Sequence, residues 1–175
     1  MNSKNINVII ILAIAVVAIF IGLGFFGFGG LGTTGAPKTE QNGAQAILAE
    51  IQQTGTVADL RVQEITDGAG EVVAPGDTLT VQYIGVLPDG TVFDSTDAHG
   101  GTPFVFTIGA GKVIQGWERG LLGMREGGRR LLAVPPALGY GAQANGVIPA
   151  NSTLIFDVQL LKRVPAGTPV TPATP

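Results

Sequence analysis

Leu79-Thr80-Val81-Gln82-Tyr83-Ile84-Gly85-Val86-Leu87-Pro88-Asp89-Gly90-Thr91-Val92-Phe93-Asp94-Ser95 decides the fold class. Leu79, Val81 and Tyr83 alternate with Thr80 and Gln82, the period of a half-buried antiparallel strand. Pro88-Asp89-Gly90 is strong turn chemistry and predicts a hairpin that returns through Phe93.

Outward from this hairpin the same period recurs. Phe104, Phe106 and Ile108 alternate with Val105 and Thr107. Arg130, Leu132 and Val134 alternate with Leu131 and Ala133. Leu154, Phe156, Val158 and Leu160 alternate with Ile155, Asp157, Gln159 and Leu161. Asp67-Gly68, Pro75-Gly76-Asp77 and Gly127-Gly128 supply further turns. One segment breaks the pattern. Val113, Trp117 and Leu121 lie four apart, with Ile114 three before Trp117, which predicts one face of a helix of about two to three turns. The expected domain, residues 56–164, is therefore α+β: a curved antiparallel β-sheet wrapped around one short α-helix. Its length is sufficient for one core.

The first third reads differently. Asn5 to Pro37 carries no charged residue, and residues 6–28 are nearly all Ile, Val, Leu, Ala, Phe and Gly. About 20 apolar residues in a helix span a bilayer. A transmembrane helix is expected there, after a flank of residues 1–5. A cleaved signal peptide is the competing reading, although no clear Ala-x-Ala site follows. Lys4 before the span and Lys38 after it favour an extracytoplasmic domain, tethered to the membrane, or secreted if the segment is cleaved. Residues 29–55 form a linker. Within it Ala44 to Gln53 consists of good helix formers, with Ile47, Leu48 and Ile51 as a modest apolar face. That short helix is expected either to pack on the domain or to lie at the membrane surface. The Pro/Thr-rich residues 165–175 read as a disordered tail.

Composition removes several chemistries. With no Cys there is no thiol catalysis, and with one His, His99, there is no His cluster for a metal. His99 reads as a solvated loop residue. Ten basic and 13 acidic residues give a net charge of −3 without a basic stripe, which argues against nucleic acid. Arg125, Arg129 and Arg130 read as surface charges, Glu118 and Arg119 as the solvated face of the helix, and Phe106 as core.

Four stretches then stand together: Val81–Ser95, Pro103–Gly109, Val113–Leu121 and Thr153–Leu160. Val134-Pro135-Pro136, Tyr140-Gly141 and Ile148-Pro149 agree with them in order and spacing. Jointly they closely resemble the FKBP family of peptidyl-prolyl cis–trans isomerases. The resemblance implies a hydrophobic cup for an X-Pro peptide. Tyr83, Phe93, Phe104 and Phe156 would wall it, with Trp117 as floor and Val113 and Ile114 on the helix rim. Val147 and Ile148 would lie on the flap before the last strand. Asp94 would be the carboxylate of the cup. The Ile114 N–H and the Tyr140 hydroxyl would hold the substrate carbonyl. No cofactor or metal is implied. The implied partners are proline-containing polypeptides of exported or membrane proteins, and macrolide inhibitors. Residues 142–149 carry neither the histidine nor the aromatic common in that family's flap. The alternative function is a membrane-tethered module or holdase that binds proline segments with little turnover.

Overall fold

The structure is a computed structural model and describes residues 38–168. The segment expected to span a membrane, 6–28, lies outside the described residues, as do the flank 1–5 and the tail from 169 onward. Among the described residues no helix is long and apolar enough to cross a membrane.

The chain forms helix α1 (Lys38–Thr54), strands β1 (Arg61–Thr66), β2 (Ala69–Val72), β3 (Thr78–Val86), β4 (Val92–Ser95) and β5 (Phe104–Thr107), helix α2 (Gln115–Gly120), and strands β6 (Arg125–Glu126), β7 (Arg129–Val134) and β8 (Leu154–Val164). Short 3-10 turns cover Asp97–His99 and Pro136–Leu138. The main sheet is antiparallel, in the order β1-β7-β8-β3-β4, with β5 also paired to β3. A separate two-stranded ladder joins β2 and β6.

Strand β3 is the hub. One edge pairs with β8 along its whole length. The other edge is shared: Thr78–Val81 pairs with β5, and Ile84–Val86 pairs with β4. The Pro88-Asp89-Gly90 turn closes the β3–β4 hairpin as the sequence predicts. Leu87 N–H donates to Thr91 O, Thr91 N–H donates to Asp89 Oδ1, and Gly90 takes φ 88°.

Helix α2 is shorter than expected. Its six residues make less than two turns, and Val113 and Ile114 precede it in the incoming loop. It sits close enough to β7 that a Cβ on Gly116 would come within 2.4 Å of Val134 Cγ1. Only glycine permits that approach, which drives the Trp117 ring into the sheet. Arg130, read from sequence as a surface charge, is instead 8% exposed. Its Nη1 donates to the carbonyls of Gly120 and Leu122 at 2.8 and 2.7 Å, and its Nε to Glu64 Oε1 at 2.6 Å. It thus satisfies orphan carbonyls at the helix end and suits the negative pole there. Arg129 likewise makes a two-pronged pair with buried Asp157, at 2.7 and 2.6 Å, and the Asp157 carboxylate raises its pKa further. Arg125 is exposed and its Nη1 donates to Gly70 O.

The sheet is covered on both faces, which the alternation alone did not require. Leu132, Val134, Phe156 and Val158 face α2 within the larger core. Leu131, Ala133 and Ile155, pointing the other way, are buried under Ile47 and Ile51 of α1 together with Val57. Helix α1 is 17 residues long, starts well before Ala44 and packs on the domain. The packed unit therefore begins upstream of residue 56. It also runs past Val164, because Ala166 N–H donates to Asp77 Oδ1 at 3.1 Å.

Asp77, 2% exposed, closes the molecule at that corner. Its carboxylate accepts from Ala74 N–H at 2.8 Å and from Arg163 Nε at 2.5 Å. Burial alone would raise its pKa. The bonds from Ala74, Arg163 and Ala166 outweigh burial and hold it below the usual carboxylate value. A depressed carboxylate stabilises the fold above its unfolded pKa of 3.8 and loses that contribution as pH falls through the folded value. Asp77→Asn is expected to cost about 3 kcal/mol at pH 7, because it strands Arg163. It should also flatten the loss of stability below about pH 4. Chemical denaturation at pH 7 and pH 3 checks both; an unchanged acid limb counts against this role.

Candidate active site

The cavity grows from the divided edge of β3. Tyr83 lies between the part of β3 paired to β5 and the part paired to β4. Its backbone is taken up by Thr96: Tyr83 N–H donates to Thr96 Oγ1 at 2.9 Å, and Thr96 N–H donates to Tyr83 O at 3.0 Å. The chain leaves the sheet there, and an open cavity of about 760 Å³ forms under the Tyr83 side chain.

Aromatic rings make the walls. Trp117 is buried and sits edge-on to Tyr83 and Phe156, with ring centroids 5.2 and 5.3 Å away. Phe93 meets Phe156 edge-on at 5.4 Å. Both rings lie over Gly85, where a Cβ would come within 2.5 Å of Phe93 and 3.0 Å of Phe156. Phe104 stacks on Phe106 at 5.5 Å and stays 40% exposed at the mouth. Phe106 itself is 6% exposed and belongs to the core, as its pattern predicts.

The cavity gathers nine of the eleven residues that the sequence nominated: Tyr83, Phe93, Asp94, Phe104, Val113, Ile114, Trp117, Tyr140 and Phe156. Val147 and Ile148 are not among its lining. Asn145 and Ile148 exchange backbone hydrogen bonds at 2.9 Å, a tight turn that leaves Val147 64% exposed and folds Ile148 into the core at 5%.

Asp94 is held from several sides. Tyr83 OH donates to its Oδ2 at 2.7 Å, and Ser95 N–H donates to Oδ1 at 2.8 Å. His99 Nε2 also lies 2.9 Å from Oδ1. His99 is exposed in its loop, as the sequence predicts, while its contact with Asp94 is not evident from sequence. The only hint was its position five residues after Asp94. Burial and the neighbouring carboxylate push the Tyr83 phenol well above its ordinary value, so it stays a donor. With its lone pairs so engaged, the carboxylate is held in place as a hydrogen-bond acceptor.

Ile114 begins α2 in an extended conformation, φ −61° and ψ 152°. Its carbonyl accepts from Trp117 and Glu118, and among the described residues its N–H enters no backbone–backbone bond. Glu118, read from sequence as merely solvated, accepts from Gly109 N–H and from Gly111 N–H at 2.5 and 2.9 Å. It thereby fixes the loop that presents Val113 and Ile114. Arg119 is exposed. Among the described residues no cluster of His, Cys, Asp and Glu could hold a metal ion.

A family profile described as FKBP-type peptidyl-prolyl cis-trans isomerase matches residues 70–161. The FK506-binding protein of Neisseria meningitidis serogroup A / serotype 4A is 45% identical over 108 residues, 61% of this chain and 97% of that one. FK506-binding protein 4 of Chaetomium thermophilum is 50% identical over 117 residues, 67% of this chain and 23% of that one. This chain thus spans about a quarter of the length of the FK506-binding protein 4 relatives that it matches. Among solved structures, FkpA from Escherichia coli is similar with a TM-score of 0.58 and 37% identity, over 74% of this chain and 64% of that one. AtFKBP13 is similar with a TM-score of 0.57 and 33% identity, over 62% and 96%.

A raised phenol pKa stabilises the fold fully below the unfolded value near pH ~10 and less as pH climbs toward the folded value. Stability should therefore fall above about pH 10, and Tyr83→Phe should make that fall shallower. Urea denaturation between about pH 8 and 11 reads the difference; parallel curves for the two proteins would rule out Tyr83 as the cause.

Proposed function

The chain belongs to the FKBP-type peptidyl-prolyl cis–trans isomerase family, and we propose that its aromatic cavity speeds rotation about X-Pro bonds in exported or membrane proteins. The observation that carries this reading is the cavity itself: six aromatic side chains (Tyr83, Phe93, Phe104, Trp117, Tyr140 and Phe156) around one pinned carboxylate, open to solvent at Phe104 and Tyr140.

Amide resonance puts a barrier of roughly 18–20 kcal/mol on this rotation. Uncatalysed X-Pro exchange takes tens to hundreds of seconds. No bond is made or broken, so a site that binds the twisted amide better than the planar one is sufficient. The planar amide is the more dipolar form and loses more hydration on entering an apolar cup. Trp117, Phe156 and Phe93 would receive the proline ring. The Ile114 N–H and the Tyr140 hydroxyl would hold the carbonyl while the chain beyond it turns. Asp94 would supply a fixed charge beside the twisting amide, since rotation gives it no proton to take. Macrolide ligands of the FK506 class would compete for the same cup.

The membrane role rests on residues 6–28, whose uncharged apolar run is long enough to span a bilayer. With that segment as anchor, the cup would work on newly exported chains close to the membrane.

Asp94→Val is expected to lower kcat/KM about tenfold, the scale of one lost hydrogen bond to a charged group. A fluorescent X-Pro peptide assay on the full chain checks this, with circular dichroism to confirm folding. Folded wild type that turns over no faster than buffer sinks the isomerase reading, and peptide binding without turnover would mark a docking module or holdase instead. For the anchor, the full chain should sediment with the membrane fraction, and protease added outside the intact membrane should digest the domain. Protection of the domain would put it in the cytoplasm and overturn the assignment.

A further inference from the structure

We propose that His99 is a positioning residue for Asp94, its imidazole holding the carboxylate from the mouth of the cup more firmly when protonated than when neutral. This rests on the isomerase reading above. His99 is the one histidine of the chain. It lines the cavity, its Nε2 lies 2.9 Å from Asp94 Oδ1, and its side chain is 64% exposed, so solvent protons reach it.

The placement is built into the turn. Ala98 N–H donates to Ser95 Oγ at 3.1 Å, and His99 N–H and Gly101 N–H donate to Thr96 O at 3.1 and 3.0 Å. Thr96 is itself bound to the Tyr83 backbone, so the ring is carried by the same junction that carries the cup. Gly100 and Gly101 both take positive φ, 72° and 76°, which lets the chain reverse at once toward β5.

Histidine changes charge between about pH 5 and 8. A neutral ring can donate to Asp94 only as the Nε2–H tautomer, whereas the imidazolium has both N–H groups. Protonation also makes both partners ionic, and such bonds are the stronger ones. The other titratable groups facing the pair are Tyr83 from β3, Tyr140 and Lys112 elsewhere in the lining, and Asp97 in the same turn. None of these residue types ordinarily changes charge in that interval. Solvent screens an exposed pair, so the effect on turnover is set at about two- to fivefold.

The test measures kcat/KM of the detergent-solubilised full chain from about pH 5.5 to 8.5, using a blocked X-Pro peptide without ionisable side chains. Wild type should be about two- to fivefold faster at the acid end, with a midpoint equal to that of its single imidazole NMR signal. His99→Gln should be flat at the alkaline level and His99→Arg flat at the acid level. A His99→Gln profile that follows wild type overturns the proposal. If no variant turns over peptide, the isomerase reading falls, and the coupling is still decided by NMR. The Asp94 carboxyl carbon signal should move with the imidazole titration, and its indifference would overturn the link.

Discussion

Everything distinctive about this domain depends on one edge of β3 being divided between two short partners. A strand edge must satisfy its N–H and C=O groups. Here β5 serves the first part and β4 the second. Between them Tyr83 is satisfied by a loop residue, Thr96, through one side-chain and one main-chain bond. The gap in pairing is what lets the sheet open into a cup without leaving the Tyr83 backbone unpaired. It also explains the order of cavity-lining residues along the chain. Phe93 and Asp94 lie in the strand before the gap, His99 in the loop that fills it, and Phe104 begins the strand after it.

The cup combines a large aromatic surface with a restrained charge. Aromatic pairs meeting edge-on gain about 0.5–1.5 kcal/mol each beyond their burial, and Trp117 enters two such contacts near 5 Å. These contacts fix the rings before any ligand arrives. The Gly85 position removes the one Cβ that would hold Phe93 and Phe156 off β3. Asp94 is prevented from swinging by Tyr83 and Ser95. A site arranged in this way spends little on ordering itself when a peptide binds.

Much of this was legible in the sequence, and for a physical reason. Residues 79–95 combine strand period with Pro-Asp-Gly turn chemistry, and both are local signals. The spacing of Val113, Trp117 and Leu121 stood out as helical among strands. What was missed depends on contacts distant in sequence. The burial of Arg130 follows from the α2 carbonyls meeting β7, and that of Asp157 from its pairing with Arg129; no local pattern encodes either. The weak apolar face of Ile47, Leu48 and Ile51 left packing and membrane contact equally open. The matching patch of Leu131, Ala133 and Ile155 becomes evident only once β7 and β8 are neighbours. Family spacing placed Val147 and Ile148 by analogy; the backbone exchange at Asn145 and Ile148 leaves Val147 exposed and packs Ile148 into the core that also holds Trp117 and Phe156.

Helix α1 gives the geometry its direction. Leu131, Ala133 and Ile155 point to one face of the sheet, and Leu132, Val134 and Phe156 point to the other, because side chains alternate along a strand. The first set is covered by α1 and the second by α2 and the cup. The chain therefore joins the sheet on the face opposite the cavity. Apolar burial under Ile47 and Ile51 holds that attachment, so α1 braces the back of β7 and β8 while the front carries the aromatic rings. The α1 brace and the aromatic cavity are thus separated by the thickness of one sheet.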